Sequence, residues 1–481
     1  MRFAVRPLDY VPDVAPEDKE AGTVAAPVLG SDVPSNSSGA APAGASGTLA
    51  PGQQAAPNSA PEERLLAEVV SSTTYTTCAI EGAVCSFTGT KVIRYGASGK
   101  YVSKTLSAAV PCTNATFGDP YPGVKKTCDY VSAPPASTAP SSRDVLKQPF
   151  ASNSIWNMPI GSGAVYVAAN LSGNPGNNIW AGMPGIDDEK IILRPTSPMT
   201  AINTSSAAWT GRNRCSATGG LLVSVPMPSD YIVPNNAENS SAAFLLSDRR
   251  TVVQTQPLAR CTARGAGTAL VKMANVDLYG PGITGAHGGS GLSAIGGSIR
   301  VGELRPTSAT GPRHALKVNV YAKEALFKCT TRAACFRWPA TTSDSYSVGF
   351  YGSASNNQNS AMKMGALLAI PASKDIASLG LETQPAKQLA WTLQNYGAYV
   401  VDDTYAPGFA FNTEEGPDGS MRTQFKSDWG FELEQKVQGN TAWVRDIQKI
   451  VKALYVVNNN SATSIGGGGN PRQPLAAAVA P

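Results

Sequence analysis

The sequence predicts a mainly-β fold: a β-sandwich or jelly-roll-like main domain with two packed helices, preceded by a small disulfide-stapled β module. Three observations support this. Only 15% of the 481 residues are charged, below the roughly 25% typical of soluble domains. The 47 Gly and 36 Pro residues indicate many turns. The eight Cys residues fall into two local groups. Together these features disfavour a helical bundle or a coiled coil.

The cysteines predict up to four disulfides. Their even number, the absence of a Cys-x-x-Cys pair and the presence of only two histidines argue against zinc. We therefore expect no metal site and no cofactor. Disulfides persist in oxidising surroundings, which predicts an extracellular protein. The residues expected to pair are Cys78, Cys85, Cys112 and Cys128 in the first group and Cys215, Cys261, Cys329 and Cys335 in the second.

Changes in composition divide the chain into segments. Residues 21–62 are rich in Ala, Gly, Ser and Pro and contain too little apolar surface to fold alone. A similar stretch at 133–142 separates a cysteine-rich unit from the main body. We expect an N-terminal tip and flexible arm at 1–65, a small Cys-rich β module at 70–130, a linker at 131–147, a main β-rich domain at 148–458 and a flexible tail at 459–481.

Hydrophobic periodicity predicts the elements of the main domain. One helix is expected to begin near Pro385 and to end at Gly397, since apolar residues recur at helical spacing between them. A second is capped by Thr441 and carries one apolar stripe. Apolar runs bounded by turn residues predict strands at 220–225, 251–254, 315–321 and 365–370.

A glycine-rich segment at 280–291 is the most unusual part of the main domain. Its six glycines surround His287 and Ser290 and permit close backbone approach, as an anion or oxyanion site requires. The chain lacks the Gly-x-Ser-x-Gly motif of esterases, and the glycine spacing does not fit a dinucleotide site. The alternative is a glycine-rich connection between strands in which His287 has a structural role.

Carboxylates supply the other candidate catalytic residues. Asp402 and Asp403 follow the apolar run 396–401 and are expected at a strand end, and Glu303 is also available. Glycan hydrolysis commonly uses two carboxyl groups. The sequence therefore predicts a catalytic set of His287, Asp402, Asp403 and Glu303. The alternative is that these acids are ordinary solvated turn residues.

Aromatic residues predict the substrate-binding side chains. The seven Trp residues all lie in the main domain, and aromatic rings commonly stack on the apolar faces of sugars. Trp391 and Trp443 lie in the expected helices and are assigned to the core. The predicted substrate-binding residues are Trp156, Trp180, Trp209, Trp338, Ser290 and His314.

Two parts of the chain resemble known proteins. The first resembles a small Cys-rich accessory module that recurs beside glycan-active domains in secreted bacterial proteins, which implies a β-rich unit suited to sugar binding. It is carried by CAIEG from Cys78, RYGA from Arg94, PCTNATFGDP from Pro111 and KTC from Lys126.

The second resemblance covers most of residues 149–403. It is to a poorly characterised family of large secreted bacterial β-domain proteins, and it implies an extracellular domain that handles polysaccharide. The family has no assigned catalytic residues to carry over. The matching segments are PFASNSIWNMPI from Pro149, GAHGGSGLSAIGG from Gly285, RHALKVNV from Arg313, MGALLAIP from Met364 and LGLETQPAKQLAWTLQNYGAYVVDD from Leu379.

Charge and hydropathy exclude several partners. The net charge is +5 without a dense basic run, so we expect no nucleic acid. No stretch approaches the ~20 apolar residues of a spanning helix, so we expect no membrane insertion. The first 20 residues carry acidic side chains and no apolar core, unlike a secretory signal. Disulfides on a chain without an export signal favour release by lysis as part of a virus particle.

The sequence thus predicts an extracellular protein that binds surface polysaccharide, as a phage virion component for host attachment: a tail fibre, spike or decoration subunit, with depolymerase activity as a further expectation. The expected partners are a polysaccharide or cell-surface glycan, other virion proteins bound through the N-terminus, and further copies of the chain. The alternatives are a freestanding secreted carbohydrate-active enzyme, either a hydrolase or a lyase, and a purely structural surface protein.

Overall fold

The computed structural model describes residues 75–87, 91–106, 108–131, 143–171, 188–206, 213–235, 239–354, 359–404 and 407–479. Contacts divide these residues into two units, 75–131 and 143–479, and each is described by itself. The predicted arm at 1–65 and most of the predicted linker at 131–147 lie outside the described residues.

The small unit is an antiparallel β module. Four of its strands form a sheet in the order β1-β6-β3-β4, and β2 pairs with β5. Ile93, Tyr95 and Phe117 form its buried centre, together with two disulfides. The elements are β1 (Tyr75–Ile80), β2 (Val84–Cys85), β3 (Lys91–Ala97), β4 (Lys100–Leu106), β5 (Val110–Pro111), the helix Asn114–Phe117 and β6 (Thr127–Val131).

The main unit contains a three-stranded, a seven-stranded and a six-stranded sheet. Together with the small module, this confirms the mainly-β prediction. The strands are β7 (Tyr166–Ala168), β8 (Asp188–Ile192), β9 (Met199–Thr204), β10 (Leu221–Pro226), β11 (Ala242–Leu245), β12 (Thr251–Gln256), β13 (Gly267–Ala269), β14 (Val271–Lys272), β15 (Val276–Asp277), β16 (Thr284–His287), β17 (Leu316–Val320), β18 (Leu367–Ala369), β19 (Ala398–Asp403), β20 (Phe409–Phe411), β21 (Thr413–Gly416), β22 (Gly419–Ser420) and β23 (Tyr455–Val457).

Parallel pairings occupy the centres of the two large sheets. In the seven-stranded sheet, β8 lies parallel to both β11 and β21. In the six-stranded sheet, β17 lies parallel to β19. Both β17 and β19 are buried along their whole length, although Lys317 and Asn319 interrupt the apolar residues of β17 and two aspartates end β19. The few polar residues on these central strands are therefore removed from water and need partners.

The two predicted helices are present. The helix Gln384–Asn395 has Pro at its first turn, and the helix Ala442–Lys452 is capped by the hydroxyl of Thr441. The sequence analysis missed the helix Met421–Trp429. Among the described residues, no helix is long and apolar enough to cross a membrane. The short helical segments of the main unit are Ala322–Ala325, Arg332–Cys335, Ser347–Phe350, Ile376–Leu379, Val437–Gly439 and Ile465–Gly467.

All eight cysteines are paired, as the sequence predicts, and both groups pair internally. Each bridge links residues that are close in the chain, with separations of 6 to 46 residues. The bridges therefore fix local loops within each unit. The pairs are Cys78–Cys85, Cys112–Cys128, Cys215–Cys261 and Cys329–Cys335.

The prediction of a flexible tail from residue 459 is wrong for the described part of that segment. The N–H of Gly161 donates to the carbonyl of Gly466, and that of Arg472 donates to the carbonyl of Ile160, each at 3.0 Å. A Cβ atom on Gly161 would lie 1.9 Å from the carbonyl oxygen of Gly468. The glycines of this segment therefore permit two backbones to pack closely.

Removal of the Thr441 cap tests the second helix. The Thr441 hydroxyl accepts the N–H of Val444 at 3.2 Å, which satisfies a donor that the helix itself leaves unpaired. We expect Thr441→Ala to lower the free energy of unfolding by about 1 kcal/mol in chemical denaturation. Thr441→Ser retains the hydroxyl and should lower it by less. Equal losses in the two variants would contradict the cap.

Candidate functional site

The glycine-rich segment brings His287 into the interior of the main unit. The chain turns back after β16, so that the N–H of Gly291 donates to the carbonyl of His287 at 2.8 Å. Gly285 passes so close to Gln254 that a Cβ atom there would lie 2.1 Å from the side-chain oxygen. Close backbone packing therefore requires glycine at this position.

His287 lies between two carboxylates and is completely buried. Its Nε2 atom is 3.1 Å from Oε1 of Glu189, and its Nδ1 atom is 3.3 Å from Oδ2 of Asp402. The ammonium group of Lys317 donates to the same Oε1 of Glu189 at 2.7 Å. Charged side chains from β8, β16, β17 and β19 therefore meet at one buried point.

The charges in this group stabilise one another. Burial alone would lower the pKa of His287, but the charge of Glu189 and the hydrogen bond to Asp402 outweigh it and raise the pKa to about 10. Burial opposes the ionised form of Glu189, and Lys317 and His287 nevertheless lower its pKa. At neutral pH the arrangement contains an imidazolium and an ammonium beside carboxylates.

Asp402 and Asp403 lie at the end of β19, as the sequence predicts, and both are buried. Oδ2 of Asp402 accepts the side-chain amide of Asn239 at 3.2 Å. Asp403 contacts different groups: Oδ1 accepts the N–H of Ala322 at 2.8 Å, and Oδ2 accepts the hydroxyl of Tyr346 at 3.2 Å. The two neighbouring acids therefore point to different partners.

An irregularity in β19 precedes this pair. Val400 lies opposite Val318 on β17, whereas Asp402 lies opposite Asn319, so Val401 is an extra residue in the register. Such bulges change the direction of the strand and of the side chains that follow, and they are common beside active sites. The bulge therefore sets the position of Asp402 at the strand end.

Asp344 adds a fourth carboxyl group, which was not predicted from the sequence. The hydroxyl of Tyr351 donates to its Oδ2 atom. An ideal Cβ atom built on Gly289 would lie 2.4 Å from Oδ1 of Asp402 and 3.2 Å from Oδ2 of Asp344. The two carboxyl oxygens therefore lie on the same side of Gly289, no farther apart than the sum of these distances.

Asp344 differs from its neighbours in its proton affinity. Removal from water and the negative charges of Asp402 and Asp403 raise the pKa of Asp344 to about 8, although the Tyr351 hydrogen bond opposes the shift. Burial and the charge of Asp344 also raise the pKa of Tyr346 and of Tyr351, which keeps both phenols as hydrogen-bond donors. At neutral pH, the raised pKa of Asp344 favours its protonated carboxylic acid.

The site reaches the protein surface at its glycine loop. Gly288 is exposed and Asp344 is half-buried, whereas Asp402 is 4% exposed. Thr341 is also exposed, and its N–H donates to the carbonyl of Ser290 at 2.9 Å. Asp344 is thus the most accessible of the three acids, and the charged groups behind Asp402 are closed to solvent.

Glu303, which the sequence predicts as catalytic, belongs to a different cluster. Both of its carboxylate oxygens lie 3.1 Å from Nε2 of His314, and Oε2 accepts the N–H of Arg300 at 2.8 Å. Burial opposes the charged form of His314, but Glu303 raises its pKa. His314 is buried and its Nδ1 lies 2.9 Å from the carbonyl of Ala315, so its contacts are structural and its role in substrate binding stays a prediction.

The predicted aromatic platforms receive no support from the described residues. Trp156 is 1% exposed and donates its indole N–H to the carbonyl of Gly282 at 2.7 Å, so its predicted contact with substrate is wrong. Ser290 is also fully buried. Trp338 is half-buried against the core. Trp180 and Trp209 lie outside the described residues.

Comparison with known proteins gives no family for this chain. No protein-family model, no curated protein and no solved structure matches the chain. In the part of the chain that the structure describes, no group of three or more His, Cys, Asp or Glu side chains is arranged to hold a metal ion. The function must therefore be argued from the carboxyl groups and their partners.

The proton affinity of Asp344 should be visible in the pH dependence of stability. A carboxyl group whose pKa rises from 3.8 in the unfolded chain to about 8 contributes stability that is complete below pH 3.8 and is lost as the pH rises through 8. We expect the unfolding free energy of the wild type to fall relative to Asp344→Asn between these values, by at most about 1.4 kcal/mol per pH unit. Denaturant titrations across this range measure the difference, and parallel curves would contradict the assignment.

Proposed function

We propose that the main unit is a polysaccharide hydrolase in which Asp344 is the general acid and Asp402 is its ionised partner. The observation that carries the proposal is the pairing of the two groups beneath Gly289, with Asp344 protonated at neutral pH because of its neighbours. Two carboxyl groups whose environments give them opposite protonation states are the usual basis of acid and base assignments.

The separation of the two groups supports a double displacement. Carboxyl groups lie about 5–5.5 Å apart in retaining glycosidases and about 6.5–9.5 Å apart in inverting ones. The distances from Gly289 place Oδ1 of Asp402 and Oδ2 of Asp344 at most 5.6 Å apart, the sum of 2.4 and 3.2 Å, which is below the range of inverting enzymes. Asp344 would protonate the glycosidic oxygen while Asp402 bonds to the anomeric carbon. Asp344, now ionised, would then take a proton from the water that breaks this bond.

The charges of the site favour hydrolysis of a neutral glycan over lyase chemistry. A lyase removes a proton beside the carboxylate of a uronic acid, and that carboxylate needs a positive or hydrogen-bonding partner. Here the substrate would meet Asp344 and Asp402, and the cations His287 and Lys317 are buried. Arg332 also acts on Asp344, but its guanidinium already donates to Thr342 and Ser343. A uronate would therefore add a negative charge next to acidic groups, which is unfavourable.

The proposed setting is extracellular. The four disulfides are compatible with oxidising surroundings. Both resemblances found in the sequence are to secreted bacterial proteins, and the small module resembles one that recurs beside glycan-active domains. Attachment to a virion through residues 1–65 stays a prediction, because that segment lies outside the described residues. Its test is deletion of residues 1–62, which should abolish incorporation into particles without changing glycan turnover.

Substitution of the two acids tests the proposed hydrolase. The wild-type protein should release new reducing ends from at least one member of a panel of neutral bacterial polysaccharides. We expect Asp344→Asn and Asp402→Asn each to lower kcat by about 100-fold or more, since each removes a group that acts in the transition state. Asp375→Asn is the matched control, because Asp375 is an exposed turn residue whose capping role Asn also performs.

Two results would contradict the proposal. One is release of unsaturated products in place of reducing ends, which would indicate a lyase. The other is an unchanged kcat in both Asp344→Asn and Asp402→Asn while the proteins remain folded. A wild-type protein that neither binds nor cleaves any polysaccharide on the panel would favour the purely structural alternative.

A further inference from the structure

We propose that His287 is a positioning residue for the proposed acid pair: held as an imidazolium between Glu189 and Asp402, it favours the ionised form of Asp402 and leaves Asp344 as the protonated member of the pair. This inference deepens the proposed function and rests on it. His287 does not contact substrate in this account, since it is completely buried.

The position of His287 between two carboxylates favours a cation over a general base. Each ring nitrogen faces a carboxylate oxygen, at 3.1 Å for Nε2 and 3.3 Å for Nδ1. A base needs one unprotonated nitrogen within reach of a reacting group. Two carboxylates at ion-pair distance favour the imidazolium, in which both ring nitrogens carry protons and neither has a lone pair for catalysis.

Glu189 and Lys317 maintain this state of His287. Lys317 reaches Oε1 of Glu189 at 2.7 Å and also donates to the carbonyls of Ser293 and Ala294, each at 3.0 Å. The lysine is therefore fixed by three acceptors on the side of Glu189 away from solvent. Glu189, in turn, orients the imidazolium toward Asp402.

The positive charge of His287 acts differently on Asp402 and Asp344, because the two acids lie at different positions relative to it. Nδ1 of His287 lies 3.3 Å from Oδ2 of Asp402, whereas the Asp344 carboxyl lies near the other oxygen, Oδ1, beside Gly289. An opposite charge at hydrogen-bond distance favours the ionised form of its neighbour. The cation therefore acts on Asp402 more strongly than on Asp344 and separates the roles of two chemically identical groups.

Every charged group that faces the pair enters the pH dependence. His287 from β16 meets Glu189 from β8, Lys317 from β17 and Asp402 from β19. The further groups that face these acids are Asp344, Asp403, Tyr346 and Tyr351, and Arg332 also acts on Asp344.

Nitrogen NMR of the wild-type protein tests the charge of His287 without any substrate. The chain contains only two histidines, so 15N-histidine labelling gives two ring systems, which His314→Gln assigns. We expect the His287 ring to keep both protons at pH 8, above the ordinary histidine value of 6.5. A neutral His287 ring at pH 7 would overturn the proposal, and this measurement does not require a variant of His287 to fold.

The pH profile of glycan turnover tests the positioning role. In His287→Gln we expect the acid limb of kcat to move to higher pH by about one unit or more, so that turnover at the foot of that limb falls about tenfold. KM should stay unchanged, because the residue does not contact substrate. His314→Gln is the matched control, since His314 pairs with Glu303 in a separate cluster and should leave the limb in place.

The outcomes separate this inference from the proposed function. If Asp344→Asn and Asp402→Asn lose turnover but His287→Gln keeps the wild-type acid limb, the hydrolase proposal stands and the positioning role is overturned. If His287→Gln lowers kcat equally at every pH, His287 acts on structure alone, and the positioning role is again overturned. Unchanged turnover in the aspartate variants would instead overturn the proposed function.

Discussion

The contact between His287 and two carboxylates is the interaction on which the rest of the site depends. Glu189, His287, Lys317 and Asp402 come from four strands and meet where no solvent reaches. Breaking a buried ion pair by removing one partner typically costs about 3–5 kcal/mol, because the remaining charge has no water to replace it. The same energetic cost opposes any movement of the four strands relative to one another, because separation of the strands would leave buried charges without partners.

Glycine permits the backbone to pack closely against the carboxyl groups. The segment 280–291 covers the carboxyl groups with backbone, and at Gly289 even a methyl group would collide with Asp402. Backbone peptide groups of this segment therefore lie next to the acids, and Asp344 stays half-buried near the protein surface. The buried cation behind Asp402 and the partly open acid beside it give two aspartates different environments, which acid and base catalysis requires.

The sequence predicts the elements better than the site. Apolar runs and caps located β17, β19 and the helices Gln384–Asn395 and Ala442–Lys452, because these signals are local. The unusual glycine pattern predicted His287 as a site residue, and the end of an apolar run predicted Asp402. Asp344 carries no local signal: it lies in an irregular segment, and only the fold brings it to Asp402. The same holds for Glu189, which is more than 200 residues from Asp402 in the chain.

The errors have a common physical cause. Trp156 lies in a loop, which predicts exposure, yet its ring packs edge-on against Tyr399 in the core. The glycines after residue 459 suggest flexibility, yet they permit close backbone contacts. In both cases the local composition predicts exposure or flexibility, but contacts with residues distant in the chain bury or fix the segment. Glu303 is misassigned for the same reason, since its partner is His314.

The central claim is that Asp344 holds a proton at neutral pH beside a charged Asp402. Its most direct test is a 13C NMR titration of the aspartate carboxyl carbons in the intact protein, with the Asp344 signal identified by its loss in Asp344→Asn. The account predicts that this signal titrates near pH 8. Titration at the ordinary aspartate value of 3.8 would contradict it.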